Sequence, residues 1–249
     1  MSDLQTNLPP SPLNLQGKKG LILGIANDHS IAWGCARAAH LLGADIVATC
    51  LNDKARTYVE PLTKPLGIHL VNCDVENPQA LSELVETAIG HLGHLDFVIH
   101  SIAWAPLEDL HAKVVDTSSA GFSRAMEVSC HSFASLAKLC APHMPQGGSL
   151  ITMSYLGANE VVPHYGLMGP VKAALESLVR YMAMELGPQG LRVHAVSPGP
   201  IRTRAASGIE SFETLIEENI KRSPLGRLVT LDEIAHLATF LCADASSGM

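Results

Sequence analysis

Six short apolar runs, most of them followed by a longer amphipathic stretch, recur along the chain, and this alternation limits the fold more than any other feature. The runs are Lys19–Gly24, Asp45–Thr49, His69–Cys73, Asp96–Ser101, Ser149–Met153 and Arg192–Val196. Between them lie Ser30–Leu42, Asp53–Pro65, Pro78–Leu92, Phe122–Pro142 and a segment ending near Leu186, each long enough for the right-handed crossover helix that joins parallel strands. A last amphipathic stretch covers Leu231–Cys242. The expected fold is therefore α/β, a single-domain doubly wound parallel sheet of Rossmann-like form. No composition break, repeat or low-complexity tract divides the 249 residues, so residues 1–249 are read as one domain with 1–18 as an extended leader.

Composition removes several function classes. Seventeen basic residues face 24 acidic ones, a net charge of −7, which argues against a nucleic-acid partner because phosphate contacts need Lys and Arg in excess. No run of eighteen apolar residues occurs, so no membrane span is expected. The leader carries Asp3 and three prolines and lacks the basic start and apolar middle of a secretory signal. Six cysteines form no C-x-x-C pair and fall mostly in apolar periodic segments, which suggests reduced thiols and a cytoplasmic setting. No H-E-x-x-H is present, and His91 with His94, lacking a third ligand nearby, are read as a solvent-facing pair; no metal site is expected.

In an open parallel sheet, ligands sit beyond the carboxyl ends of the strands. After the first strand, Gly24 can take a tight turn, Ser30 stands where a hydroxyl could reach a phosphate, and Gly34 permits close helix packing. Gly24, Ile25, Ser30 and Ile31 are thus candidate cofactor residues, although the segment is not a literal G-x-G-x-x-G. The second strand end offers Leu51 and, one step later, Asp53; Lys54 is its first cation, which favours the ribose hydroxyls of NADH over the 2′-phosphate of NADPH. Asp74, beside Val75, stands where a carboxylate could accept from an adenine amino group or shape the turn before Pro78. Ser101, Ile102, Ala103 and Ala105 follow the fourth strand, small or slim where a flat ring must approach, and Trp104 among them is read as a packing residue.

Beyond the fifth strand come Ser154-Tyr155-Leu156-Gly157 and then Tyr165, with Met168 and Lys172 three and seven residues further on. Seven residues of helix rise about 10.5 Å, too far for the ammonium to touch the phenol. Pro170 lies between them, so either the helix spacing is approximate or the helix begins near Gly169 and Tyr165 projects from the loop before it.

Together with Ser197-Pro198-Gly199-Pro200-Ile201-Arg202-Thr203 and Ala205-Ala206-Ser207-Gly208-Ile209, these motifs make the chain resemble the enoyl-acyl-carrier-protein reductase branch of the short-chain dehydrogenase/reductases. Carbonyl-reducing relatives keep Tyr-x3-Lys, and here Met168 fills that tyrosine position. The resemblance implies hydride transfer from NADH to the β-carbon of a trans-2-enoyl thioester in fatty-acid elongation. Tyr165 would donate to the thioester oxygen, Lys172 would hold the cofactor ribose, and Tyr155 would line the same pocket. Ile201, Thr203 and Ala205 would follow the nicotinamide end. Residues 204–222 would form a substrate lid, with Ala103, Ala105, Met168, Ile209 and Phe212 toward the acyl chain. The implied partners are an acyl carrier protein or coenzyme A thioester and further copies of the chain in a homotetramer. Two departures stand out: Glu210, Glu213, Glu217 and Glu218 make the lid's outer face acidic, and the final edge strand of relatives is missing after Leu231–Cys242. A carbonyl-reducing relative and a catalytically silent dinucleotide-binding protein are the rival readings.

Overall fold

The computed structural model describes residues 13–203, 208 and 212–249. Six strands, β1 Lys19–Leu23, β2 Asp45–Cys50, β3 His69–Asn72, β4 Phe97–His100, β5 Gly148–Met153 and β6 Leu191–Val196, form one sheet in the order β3-β2-β1-β4-β5-β6, every pair parallel. Each expected strand is present, with ends shifted by a residue or so. The winding direction reverses between β1 and β4, which opens the crevice where ligands of such sheets sit. The helices are α1 Ile31–Leu41, α2 Asp53–Thr63, α3 Pro78–Leu92, α4 Leu107–His111, α5 Ser119–Met126, α6 Ser132–Cys140, α7 Met168–Leu186, α8 Phe212–Arg222 and α9 Leu231–Cys242.

The core has two layers because strand side chains alternate between faces. Leu21 and Leu23 of β1 join Leu84 of α3, Phe133 of α6 and Leu175 of α7. Ile22 points the other way, to Ala36 of α1 and Ile234 of α9. Local signals set the helix starts. Asn77 accepts from the amides of Gln79 at 3.0 Å and Ala80 at 3.4 Å, ahead of Pro78 at the first helical position. Thr230 and Glu233 form a capping box on α9.

Two expectations are corrected. The single helix read over Phe122–Pro142 starts earlier, at Ser119 under a Ser118 cap, and is divided by a five-residue π-turn, Glu127–His131. A π-turn shifts the helical register by one residue and leaves apolar periodicity almost unchanged, so pattern alone does not expose it. His91 and His94 are not a pair: His91 stacks on His69 with ring centroids 4.8 Å apart, and His94 lies 3.4 Å from the Asp96 carboxylate. Helix α4 is a single short turn below the reach of periodicity.

All six cysteines are buried free thiols. No helix among the described residues is long and apolar enough to cross a membrane.

Candidate active site

The exits of β1, β2 and β4 meet at the switch point. Gly24 has φ +102°, and a Cβ there would lie 2.3 Å from the Ser101 carbonyl oxygen, so only glycine lets the two strand exits close up. Its amide donates to Thr49 Oγ1 at 3.2 Å, and the buried Ile25 donates to the Thr49 carbonyl at 2.9 Å. The Ser30 hydroxyl, expected to meet a phosphate, also has partners within the protein. That oxygen accepts from the amides of Ala26 and Asn27, each at 3.0 Å, and donates to Asn27 Oδ1 at 3.2 Å. It shapes the turn, and the amides of α1's first turn, beginning at Ile31, are the groups an anion would meet. Gly34 lets α1 seat against α9: a Cβ there would stand 2.7 Å from Leu231 Cγ.

On the adenosine side, Leu51 is exposed and Asn52 caps α2. The Asp53 carboxylate accepts from Asn72 Nδ2 at 2.6 Å, tying it to the β3 exit. Asp74 is exposed with Oδ1 accepting from the Glu76 amide at 3.1 Å, a turn role that leaves the carboxylate facing solvent, while Val75 is buried. A strut unforeseen from sequence crosses this region. Glu76 accepts from Arg124 Nε at 2.5 Å and Nη2 at 2.8 Å, and the guanidinium lies 4.2 Å over the Trp104 ring. Ser129, in the π-turn, then holds Trp104 by both its amide and its carbonyl at 2.7 Å. Trp104 thus packs, as expected, and the strut fixes the loop carrying Ser101, Ile102, Ala103 and Ala105, all half-buried.

Beneath that loop, His100 is fully buried. Ser132 donates its one hydroxyl proton to the Val128 carbonyl at 2.7 Å, so it must accept from His100 Nε2 at 2.9 Å, and Nδ1 then accepts from Thr152 Oγ1 at 3.1 Å. Burial first, and the Lys172 charge second, push the imidazole down to about 3. It is neutral.

The β5 exit carries the remaining chemistry. Helix α7 begins at Met168, so Pro170 sits in its first turn and Tyr165 precedes the helix, the loop alternative of the two that sequence left open. His164 and Gly166 on either side of it adopt positive φ, 61° and 51°. The Tyr165 ring lies over Gly157, where a Cβ would come within 2.4 Å of it, and meets Tyr155 edge-on at 4.8 Å. Lys172, 3% exposed, donates from Nζ to the Met153 carbonyl at 2.6 Å and makes no hydrogen bond to Tyr165. Burial lowers it to about 8, against smaller raising effects of Cys130 and Glu176. Burial also pushes the Tyr165 hydroxyl, 7% exposed as a residue, well above its usual value, with Tyr155 adding to the rise. The Tyr155 hydroxyl is buried without a hydrogen-bond partner among the described residues. Met168 is buried beside this group and Phe212 half-buried at the start of α8; Ile201 and Thr203 follow β6. Ala205 and Ile209 lie outside the described residues.

These features fit a dinucleotide: two strand exits drawn together at Gly24, the start of α1 beside them and a buried lysine cation. An open parallel sheet with this equipment at its switch point defines a dinucleotide-dependent oxidoreductase of the short-chain dehydrogenase/reductase class. The sequence pattern described as Enoyl-(Acyl carrier protein) reductase matches residues 24–249, and the chain belongs to that family. It is 42% identical over 236 residues to enoyl-[acyl-carrier-protein] reductase [NADH] 1 of Rhizobium meliloti, covering 94% of this chain and 87% of that protein. The crystal structure of the Aquifex aeolicus enoyl-[acyl-carrier-protein] reductase (NADH) superposes with a TM-score of 0.91 at 40% identity, covering 94% of this chain and 92% of that one. The Anaplasma phagocytophilum enzyme, crystallised with NAD, gives 0.90 at 42% identity over 94% and 90% of the two chains.

Proposed function

We propose that this chain reduces the 2,3 double bond of trans-2-enoyl thioesters in fatty-acid synthesis with NADH, and that Tyr165, Lys172 and Tyr155 carry the work. When bound, NADH supplies the hydride. Tyr165 donates a hydrogen bond to the thioester oxygen as negative charge gathers there, the contribution expected of an oxyanion donor. Lys172 holds the ribose and lends its positive charge; Tyr155 bounds the substrate side. Gly24, Ile25, Ser30, Ile31 and Thr203 serve the pyrophosphate, Leu51, Asp74 and Val75 the adenosine, and Ser101, Ile102, Ile201 and Ala205 the nicotinamide end. Ala103, Ala105, Met168, Ile209 and Phe212 meet the acyl chain, with 204–222 as lid.

The observation that carries this reading is the separation of the two groups: Lys172 is committed to the Met153 carbonyl, and Tyr165 stands outside the helix with a hydroxyl that burial keeps protonated. A phenol held as a neutral donor suits an oxygen that gains charge. It suits less well a carbonyl reduction in which an adjacent lysine lowers the phenol. Supplying an enoyl thioester and a β-ketoacyl thioester in parallel and following NADH absorbance tests it. Turnover of the enoyl compound alone is expected; preferential turnover of the ketone would overturn the assignment.

The carrier is an acyl carrier protein or coenzyme A. Arg202 pairs with Glu213, Arg222 with Glu160 and Arg227 with Glu233, and on α8 Lys221 is exposed together with Glu217 and Glu218. An acidic carrier therefore docks away from the outer face of α8. Exposed Tyr181 and Met184 on α7, with Phe122 on α5, support a homotetramer that covers them. Six buried, unpaired thiols support a cytoplasmic setting.

A further inference from the structure

Three consecutive residues at the β5 exit are each fixed differently. The carbonyl of Met153 is held by Lys172, the hydroxyl of Ser154 by Glu176, and the third residue is Tyr155. Lys172 and Glu176 stand four residues apart on α7, on one helix face, yet they make no ion pair with each other. Each reaches to the strand exit instead. Glu176 Oε1 accepts from Ser154 Oγ at 2.5 Å, a short charge-assisted bond, and Oε2 accepts from Asn159 Nδ2 at 3.0 Å. Its two oxygens thus grip both ends of the segment from Ser154 to Asn159. That segment carries Tyr155, and its short turn Leu156–Ala158 includes Gly157, the seat of the Tyr165 ring. We infer that Glu176 is a positioning residue for both phenols, clamping the loop that places Tyr155 and seats Tyr165.

The carboxylate has a second consequence. Lys172 is faced by Glu176 from its own helix, by Cys130 from the π-turn and by the neutral His100 from β4; burial lowers the ammonium, while Cys130 and Glu176 oppose that fall. Removing the Glu176 charge releases one of the two opposing influences, so Lys172 loses its proton at lower pH. A residue that only stabilised the fold would not move that titration.

This inference rests on the roles given above to Tyr165, Tyr155 and Lys172. The test uses the full chain as wild type, Glu176→Gln, Glu176→Asp and Ser154→Ala, with enoyl reduction and NADH binding by fluorescence followed between about pH 6 and 10. Glu176→Gln keeps one acceptor and loses the other along with the charge. Its kcat is expected to fall about 10- to 100-fold, the scale of a misplaced reacting group, with KM for NADH near wild type at the acid end. The alkaline limb of NADH binding moves to lower pH. Glu176→Asp restores that limb without restoring kcat, because its shorter arm keeps the charge and loses the reach. Ser154→Ala lowers kcat and leaves the limb in place. An unchanged kcat in Glu176→Gln, or a loss matched by lower thermal stability with the alkaline limb unmoved, overturns the inference. If the wild type leaves enoyl thioesters untouched, the reading of the reaction fails, and the NADH-binding curves still decide whether Glu176 governs Lys172.

Discussion

Lys172, proposed to hold the cofactor, burdens folding, and the two effects part above about pH 8. Its ammonium is buried, and burial, the leading cause, lowers it from 10.5 to about 8. Its folded value is below its unfolded value, so between these limits the unfolded chain holds the extra proton and stability rises with pH. The contribution is complete above the unfolded value and is lost as pH falls through about 8. The charge proposed to hold the ribose disappears in the same interval. NADH affinity is therefore expected to weaken as pH rises past about 8 while the urea midpoint gains from this group. Lys172→Met should flatten that part of the stability profile and weaken NADH binding at neutral pH; a variant with wild-type affinity would remove Lys172 from the cofactor site. Gly157→Ala probes the neighbouring phenol. With a Cβ 2.4 Å from the Tyr165 ring, the ring must tilt, and kcat should fall at least about tenfold with NADH binding preserved.

Helix α1, whose first turn is proposed to face the pyrophosphate, sits tightly on α9. Gly34→Ala places a methyl group 2.7 Å from Leu231 Cγ, and this overpacking should cost about 1–3 kcal/mol in denaturant unfolding. Adding Leu231→Ala should recover part of the loss, and an uncoupled pair would contradict the contact. The six strands and the α3 and α9 boundaries were legible because apolar runs, Asn77-Pro78 and Thr230-x-x-Glu233 are local signals. Tyr165 and Lys172 were legible by spacing and by their place after a strand. The rest depends on partners distant in the chain. Arg124 meets Glu76 48 residues away, Ser154 meets Glu176 across 22, and the π-turn that carries Ser129 leaves no mark in the apolar pattern. That the Ser30 hydroxyl also accepts from the amides of Ala26 and Asn27 was not legible, because sequence cannot show which way those amides turn. Glu176 carries one local hint, its place one helical turn after Lys172.

The whole molecule brings together strand exits from both halves of the sheet, and the proposal gives the cofactor side to β1, β2 and β3 and the reacting side to β4, β5 and β6. The proposed tetramer would cover apolar surface that one copy leaves open. Tyr181 is 69% and Met184 81% exposed, and replacing both with Glu should shift light-scattering mass from tetramer to smaller species; an unchanged mass would place the interface elsewhere. The account as a whole turns on one hydroxyl group. Tyr165→Phe keeps the ring over Gly157 and removes only the donor. Single-turnover reduction of an enoyl thioester by this variant should slow about 10²- to 10³-fold with NADH affinity unchanged. Reduction at the wild-type rate would show that the thioester oxygen finds its donor elsewhere.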